Sequence, residues 1–214
     1  MPKNMQKIVL ASGNVKKVKE LSELLANFDY QVIPQTDLNV SEVPETGTTF
    51  VENAIIKARH AAKVTGLPAI ADDSGIEIDY LNGMPGIYSA RFATLDDLNS
   101  QGNADDQANN DLLLEKLKGV PTAERGARYQ CILVFMKHAD DPTPIICQGS
   151  WEGRILESKT GDGGFGYDPL FWAPEHNCAA AELSPDQKAA ISHRGKALRS
   201  LMEQLSVLRT ARNI

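Results

Sequence analysis

Two adjacent carboxylates, Asp72 and Asp73, stand in the segment Ala71-Asp72-Asp73-Ser74-Gly75, behind the apolar residues Leu67, Ala69 and Ile70. The apolar residues read as the start of a strand, and the acids fall where it should give way to a turn. Neighbours on a strand point to opposite faces, so only one of the pair can face a core. A carboxylate buried without a partner is costly. The pair is therefore expected to be exposed, hydrogen-bonded to a turn, or holding a cation. A turn in which Asp and Ser cap backbone N–H groups fits the same residues.

Three other groups of residues could share chemistry with that pair. Ser12-Gly13-Asn14 ends a first strand, and Lys16, Lys17 and Lys19 open the helix that follows. The helix dipole disfavours cations at that end. A phosphate bound on the free N–H groups would reverse the sign, and Gly13 would let the backbone come close to it. A solvated basic turn is the competing reading. There is no GxxxxGK[ST] and no GxGxxG, so the standard nucleotide fingerprints are absent. Glu45, in the polar loop Glu45-Thr46-Gly47, is either a solvated acid or, with Asp73, one side of a magnesium site. Mg²⁺ needs only one or two protein carboxylates when substrate phosphate and water fill its other positions. The run Gly161-Asp162-Gly163-Gly164-Phe165-Gly166-Tyr167-Asp168 sets rings and a carboxylate among glycines. It is either a flexible hairpin turn or a pocket for stacking a base, with Asp168 reading donors on the base edge.

The last helix carries a cation in the wrong place. Ala190, Ile191, Ala197, Leu198, Leu201, Met202 and Leu205 define its apolar stripe at helical spacing. Arg194 falls near the middle of that stripe, with His193 at its edge. An Arg there needs an anion, a polar pocket or a structural salt bridge. Lys188 lies about 120° away on a straight helix, so a ligand shared by Lys188 and Arg194 requires a break near Ser192.

The elements that must position these groups alternate. Strands are expected at 6–12, 30–33, 127–137 and 144–156, with a strand pair or bent strand at 69–80. Helices are expected at 14–28 (stripe Val18, Leu21, Leu24, Leu25, Phe28), at 49–64 and at 184–208, with the end of a further helix at 111–118. Thr49 with Glu52 and Ser184 with Gln187 are capping boxes, Pro185 sits at a first helical position, and Gly66 is a helix stop. Residues 99–107 are polar and read as an exposed loop. This pattern predicts an α/β fold with a mixed sheet. The chain has 214 residues, 42% hydrophobic and 23% charged, ordinary for one soluble globular domain. No apolar run reaches the roughly 20 residues of a membrane span, and the start reads straight into a strand without a signal peptide. Cys131, Cys147 and Cys178 show no metal-ligand spacing, which fits free thiols in a reducing cytoplasm. The net charge of −6 argues against a nucleic-acid-coating surface.

The motifs SGN-x-x-K at 12–17, ETG at 45–47, F-x-ENA-x-x-KA at 50–58, ADDSG at 71–75, PGIYSAR at 85–91, GGFGYDP at 163–169 and SHRG at 192–195 occur in this order. Together they resemble the house-cleaning nucleoside triphosphate pyrophosphatases over residues 6–205. The resemblance implies Mg²⁺-dependent hydrolysis of ITP, dITP and XTP to a nucleoside monophosphate and pyrophosphate. It implies an elongated mixed β-sheet flanked by helices, two lobes with a central substrate cleft in a single domain over 1–214, and a cytoplasmic homodimer. By motif, Ser12, Gly13, Asn14, Val15, Lys16 and Lys17 would bind the triphosphate. Asp73 would be the proton acceptor and a metal ligand, with Glu45 helping to hold the metal. Ser74, Phe165, Gly166, Tyr167, Asp168, Lys188, His193 and Arg194 would contact substrate. The 96–107 loop is longer than the family norm, and the extension before Met5 has no counterpart. The rival enzyme is a related pyrophosphatase for pyrimidine or canonical triphosphates. The non-enzyme rival, a nucleotide sensor, would lack a metal carboxylate, and here Glu45, Asp72 and Asp73 are all present.

Overall fold

The computed structural model describes residues 6–25, 30–95 and 102–212. In chain order the elements are β1 (Gln6–Ala11), α1 (Val15–Leu25), β2 (Tyr30–Pro34), α2 (Phe50–Thr65), β3 (Ala69–Ile78), α3 (Asp106–Lys116), β4 (Gly126–Met136), β5 (Ile145–Ile155), β6 (Phe171–Ala173), β7 (Cys178–Ala179), α4 (Pro185–Ile191) and α5 (His193–Arg212). A 3-10 segment, Gly86–Thr94, follows β3. The strands form one seven-stranded sheet in the order β2-β1-β3-β4-β5-β6-β7. β1 runs parallel to β2 and to β3, whereas β6 is antiparallel to β5 and to β7. The sheet is therefore mixed and flanked by helices, as the alternating pattern predicts.

The chain divides into two compact units. One holds residues 1–73, 131–149 and 194–214, and the other holds 74–130 and 150–193. The division falls inside β3, β4 and β5 and between His193 and Arg194. In the first unit β1 is a continuous apolar run because both its faces are covered. Ile8 and Leu10 enter a core with Leu21 and Leu25 of α1 and Ala197, Leu198 and Leu201 of α5. Val9 and Ala11 enter a second core, against Ala54, Ala58, Ala61 and Ala62 of α2. The second unit has its own core, built on Ile76, Ile78, Leu113, Leu117, Tyr129, Trp151 and Phe171. The buried Arg125 guanidinium donates to the carbonyls of Leu117, Val120 and Leu156, which ties the end of α3 to β5.

Both capping boxes form. Thr49 and Glu52 open α2, Ser184 and Gln187 open α4, and Gly66 ends α2 in the left-handed region. Three expectations are corrected. Within the 69–80 segment Ala69–Ile78 is one ten-residue strand, followed by a 3-10 turn at Asp79–Leu81, with the acids inside the strand rather than at its end. The 184–208 helix is two helices, because Ser192 is extended (φ −67°, ψ 160°) between α4 and α5. That break leaves Ala190 exposed, so it drops out of the stripe. Residues 106 and 107, expected in a loop, begin α3. The short strands β6 and β7 have no periodicity long enough to read. Phe28, residues 1–5, residues 96–101 and the side chain of Leu24 lie outside the described residues.

Candidate active site

Alternation along β3 sends the two acids to different cores. Asp72 shares the face of Ile70, and Asp73 shares the face of Ala69 and Ala71. Both are buried, at 1% and 6% exposure. The expectation that only one could face a core fails because both faces of the strand are covered. Each acid instead meets its own cation.

Asp72 lies in a chain of alternating charges within the first unit. Its Oδ1 is 2.7 Å from Lys17 Nζ of α1, and its Oδ2 is 3.1 Å from Arg194 Nε of α5. The Cys131 thiol also donates to Oδ2, at 3.2 Å. A second guanidinium nitrogen of Arg194 reaches Glu20 Oε2 of α1 at 2.6 Å. Burial alone would raise the Asp72 pKa, but Lys17 and Arg194 outweigh it and hold the carboxyl well below its ordinary value. Burial, then the neighbouring Asp72 charge, pushes the Cys131 thiol up, so it stays protonated and donates. The polar target that Arg194 requires is thus a pair of protein carboxylates.

Asp73 faces α2. Lys57 Nζ stands 2.8 Å from Asp73 Oδ1 and 2.8 Å from Glu45 Oε1. Asp73 Oδ2 is buried and has no hydrogen-bond partner among the described residues. Burial raises the Asp73 pKa, Lys57 and Lys17 oppose it, and Glu45 adds to it, with a net upward shift. For Lys57, burial lowers the pKa, and the Asp73 and Glu45 charges outweigh that. Beside them Asn53 is buried and accepts the Gly47 N–H at 2.8 Å, which fixes the loop that carries Glu45. Two carboxylates that already converge on one cation, one of them with an unpartnered oxygen, fit a hard divalent ion taking most of its ligands from phosphate and water. Among the described residues no group of three or more His, Cys, Asp or Glu could hold a metal by itself. The charge arrangement makes a signed prediction. Lys57→Met removes a cation that lowers the Asp73 pKa, so the acid limb of the kcat/KM profile should move to higher pH. An unmoved or lower limb would detach that limb from Asp73.

The start of α1 is capped by the protein itself. Asn14 Oδ1 accepts the N–H groups of Lys16 and Lys17 at 3.0 and 3.1 Å, and Ser12 Oγ accepts the Asn14 N–H at 3.2 Å. Two of the N–H groups expected to be open to an anion therefore serve the cap. Gly13 lies against the end of the Glu42 side chain, which is exposed and would have to shift for a Cβ there. Val15 is exposed, and Lys17 turns inward to Asp72.

In the second unit Asp168 is the hub of the glycine-rich segment. It is buried at 2% exposure. Its Oδ2 accepts the Phe165 N–H at 2.8 Å and pairs with Lys188 Nζ at 2.6 Å, and its Oδ1 accepts the Tyr129 hydroxyl at 3.3 Å. Three donors from the protein meet this carboxylate, so it organises the segment. Lys188 is thereby held 5.0 Å from the centre of the Phe165 ring. Gly164, at φ 73°, sits where a Cβ would strike the Asp168 carboxylate. The His193 ring stacks on Tyr129 at 4.6 Å and 8°. Tyr167 belongs to the core. Its hydroxyl donates to the Ser89 carbonyl at 2.8 Å, and burial pushes the phenol pKa up. Ser74 is half-buried on β3 directly after Asp73.

The structure thus groups Lys17, Asp72 and Arg194, groups Glu45 with Asp73, and groups Phe165, Asp168 and Lys188. Arg194 and His193, adjacent in sequence, belong to different units. Glu20, Glu42 and Tyr129 belong to none of the motifs, and Asn53 and Lys57 stand inside the motif at 50–58 with no role that the motif itself assigns. Lys57 had a readable signal. It lies three residues after Ala54 and four before Ala61, on the buried alanine face of α2, the same misplacement that marks Arg194. Glu20 sits on an ordinary charged helix and carries no such signal.

The model of the Ham1 family matches residues 8–204. A dITP/XTP pyrophosphatase of Vibrio parahaemolyticus is 61% identical over 202 residues, covering 94% of this chain and 98% of that protein. A dITP/XTP pyrophosphatase of Escherichia coli K12 is 56% identical over 201 residues, covering 94% and 98%. The solved structure of a HAM1 protein from Coxiella burnetii matches with a TM-score of 0.84 at 48% identity, covering 94% of this chain and 99% of that one. That of a nucleoside-triphosphatase, a dITP/XTP pyrophosphatase from Mycobacterium abscessus, matches with a TM-score of 0.71 at 42% identity, covering 92% and 98%. The matched span agrees with the motif span of 6–205, and with coverage of this extent the chain belongs to the Ham1 family.

Proposed function

We propose that this protein hydrolyses the purine triphosphates dITP, XTP and ITP to the nucleoside monophosphate and pyrophosphate, in a Mg²⁺-dependent reaction that clears them from the nucleotide pool. The observation that carries the proposal is the convergence of Glu45 and Asp73 on one cation, with an Asp73 oxygen unpartnered and the Asp73 pKa raised by burial. The names borne by relatives at 56% and 61% identity support the substrate class.

Glu45 and Asp73 would hold Mg²⁺, which when bound offsets charge on the triphosphate. Asp73 takes the proton from the attacking water, the role its raised pKa suits. Ser12 to Lys17 face the phosphates, with the Lys16 and Lys17 charges opposing theirs, and Lys57 keeps Asp73 and Glu45 in register. Lys188 and Phe165, both fixed by Asp168, address the purine with His193 and Ser74. A donor aimed at a 6-keto oxygen is mismatched against the 6-amino group of adenine. Arg194 holds Asp72. The chain acts as a single domain and as a cytoplasmic homodimer on free nucleotides. No described helix is long and apolar enough to cross a membrane.

The test is pyrophosphate release from dITP, XTP, ITP, ATP, GTP and dUTP, with Mg²⁺ and with EDTA. Hydrolysis of dITP, XTP and ITP above the others, lost with EDTA, is the expected result. Preference for dUTP or ATP, or Mg²⁺-independent turnover, would overturn the proposal. Light scattering tests the dimer.

A further inference from the structure

The glycine-rich segment is held from outside by the first turn of α3. Asp106 Oδ2 accepts the Gly166 N–H at 3.0 Å, and Asn110 Nδ2 donates to the Gly166 carbonyl at 2.8 Å. One peptide residue is thus gripped on both its donor and its acceptor by side chains four apart, which lie on one helix face. Asn110 Nδ2 also donates to the Asp106 carbonyl at 2.7 Å, which fixes its rotamer. The neighbouring Asn109 grips the 3-10 segment in the same way. Its Oδ1 accepts the Ala93 N–H at 2.8 Å, and its Nδ2 donates to the Ala90 carbonyl at 3.3 Å. Asn109 and Asn110 are each only 3% exposed, where an amphipathic helix would carry apolar residues. Buried amide donors are costly to leave unpaired; both Nδ2 groups and Asn109 Oδ1 are paired, and Asn110 Oδ1 meets no partner among the described residues. Here the partners are the backbones of the two segments that Tyr167 also joins through Ser89.

We infer that Asp106 and Asn110 are positioning residues for base discrimination: by clamping the Gly166 peptide they set where Phe165 and Lys188 stand. The inference rests on the proposed assignment of Phe165 and Lys188 to the purine. Gly166 adjoins Phe165, whose N–H already bonds Asp168, so the clamp and Asp168 together fix the Phe165 backbone on both sides. Releasing the clamp leaves Asp168 and Lys188 paired and lets the Phe165 ring move.

The experiment measures kcat and KM for ITP and ATP, with thermal midpoints, in Asp106→Ala, Asp106→Asn, Asn110→Ala and Asn110→Asp, beside Lys188→Met. Loss of one ordinary hydrogen bond corresponds to about tenfold. Asp106→Ala and Asn110→Ala should raise KM for ITP about tenfold with kcat within about twofold, and lower the ITP-over-ATP ratio of kcat/KM by a similar factor. Asp106→Asn keeps an acceptor for the Gly166 N–H and should restore the ratio. Asn110→Asp turns an oxygen toward two carbonyls and should be at least as harmful as alanine. A changed ratio for Lys188→Met with an unchanged ratio for the clamp variants overturns the clamp and leaves the base assignment standing. An unchanged ratio in all of them overturns both. Equal losses on ITP and ATP assign the clamp to the fold alone. Asp106 is half-exposed, so its two variants decide the matter even where Asn110→Ala fails to fold.

Discussion

Asp73→Asn should lower kcat by ~10²–10⁴, the range for a removed general base, with the fold retained. Three features put the effect on chemistry. The Asp73 carboxyl is raised by burial, so its ionised form is the less comfortable one in the fold and a neutral isostere is tolerated there. Lys57 keeps Glu45 as a partner at 2.8 Å when Asp73 is neutral. The oxygen that would meet water or metal, Oδ2, bonds nothing among the described residues, so the substitution breaks no contact with them on that side. The measurement is pyrophosphate release from dITP at saturating Mg²⁺, beside a thermal melt. Near-normal turnover would remove Asp73 from the proton transfer. In the unmodified protein the acid limb of kcat/KM should lie above the ordinary aspartate value, because the free enzyme's base is shifted upward.

How much of this was legible depends on what each signal measures. Apolar runs report burial, so β1 is legible as a buried strand and β4 and β5 as long ones, and capping boxes place the starts of α2 and α4 to the residue. The break at Ser192 was legible only conditionally, from the angular distance between Lys188 and Arg194, since nothing in Ser192 itself forbids a helix. β6 and β7 are too short to show a period. The acid pair lies inside β3 rather than at its end, and a strand covered on both faces buries two successive residues. Which cation meets which acid depends on register, and Val9↔Ala69 and Ala11↔Ala71 pairing has no local trace. Asp168 was legible as a member of the glycine-rich group, but not as its hub, since Tyr129 and Lys188 arrive from 39 and 20 residues away. Asn109 and Asn110 were read past because polarity beside a polar stretch looks like surface.

Asp72→Ala should cost about 3–5 kcal/mol of folding stability, the range for removing one partner of a buried ion pair. That is a large share of the roughly 5–15 kcal/mol that holds a domain folded. Asp72 faces Lys17 and Arg194 together, and Arg194 is 2% exposed. Its removal takes away the carboxylate that the buried Arg194 Nε and Lys17 Nζ both meet, and strips the Cys131 thiol of its acceptor. The pH dependence has a fixed sign. A carboxyl whose folded pKa is depressed stabilises the fold fully above the ordinary value of 3.8, and that stabilisation is lost as pH falls toward the folded pKa. The unmodified protein should therefore weaken as acid is added below that value, whereas Asp72→Ala should show a flatter acid limb from a lower starting point. Denaturant unfolding from neutral pH downward measures both. A double-mutant cycle with Arg194→Met isolates the pair: coupling should be large, because the second substitution removes the charge that the first leaves stranded. Additive losses, or an Asp72→Ala protein as stable as the parent, would show that the alternating chain Lys17, Asp72, Arg194, Glu20 does not bind α1, β3 and α5 together, and would free Arg194 for a different role.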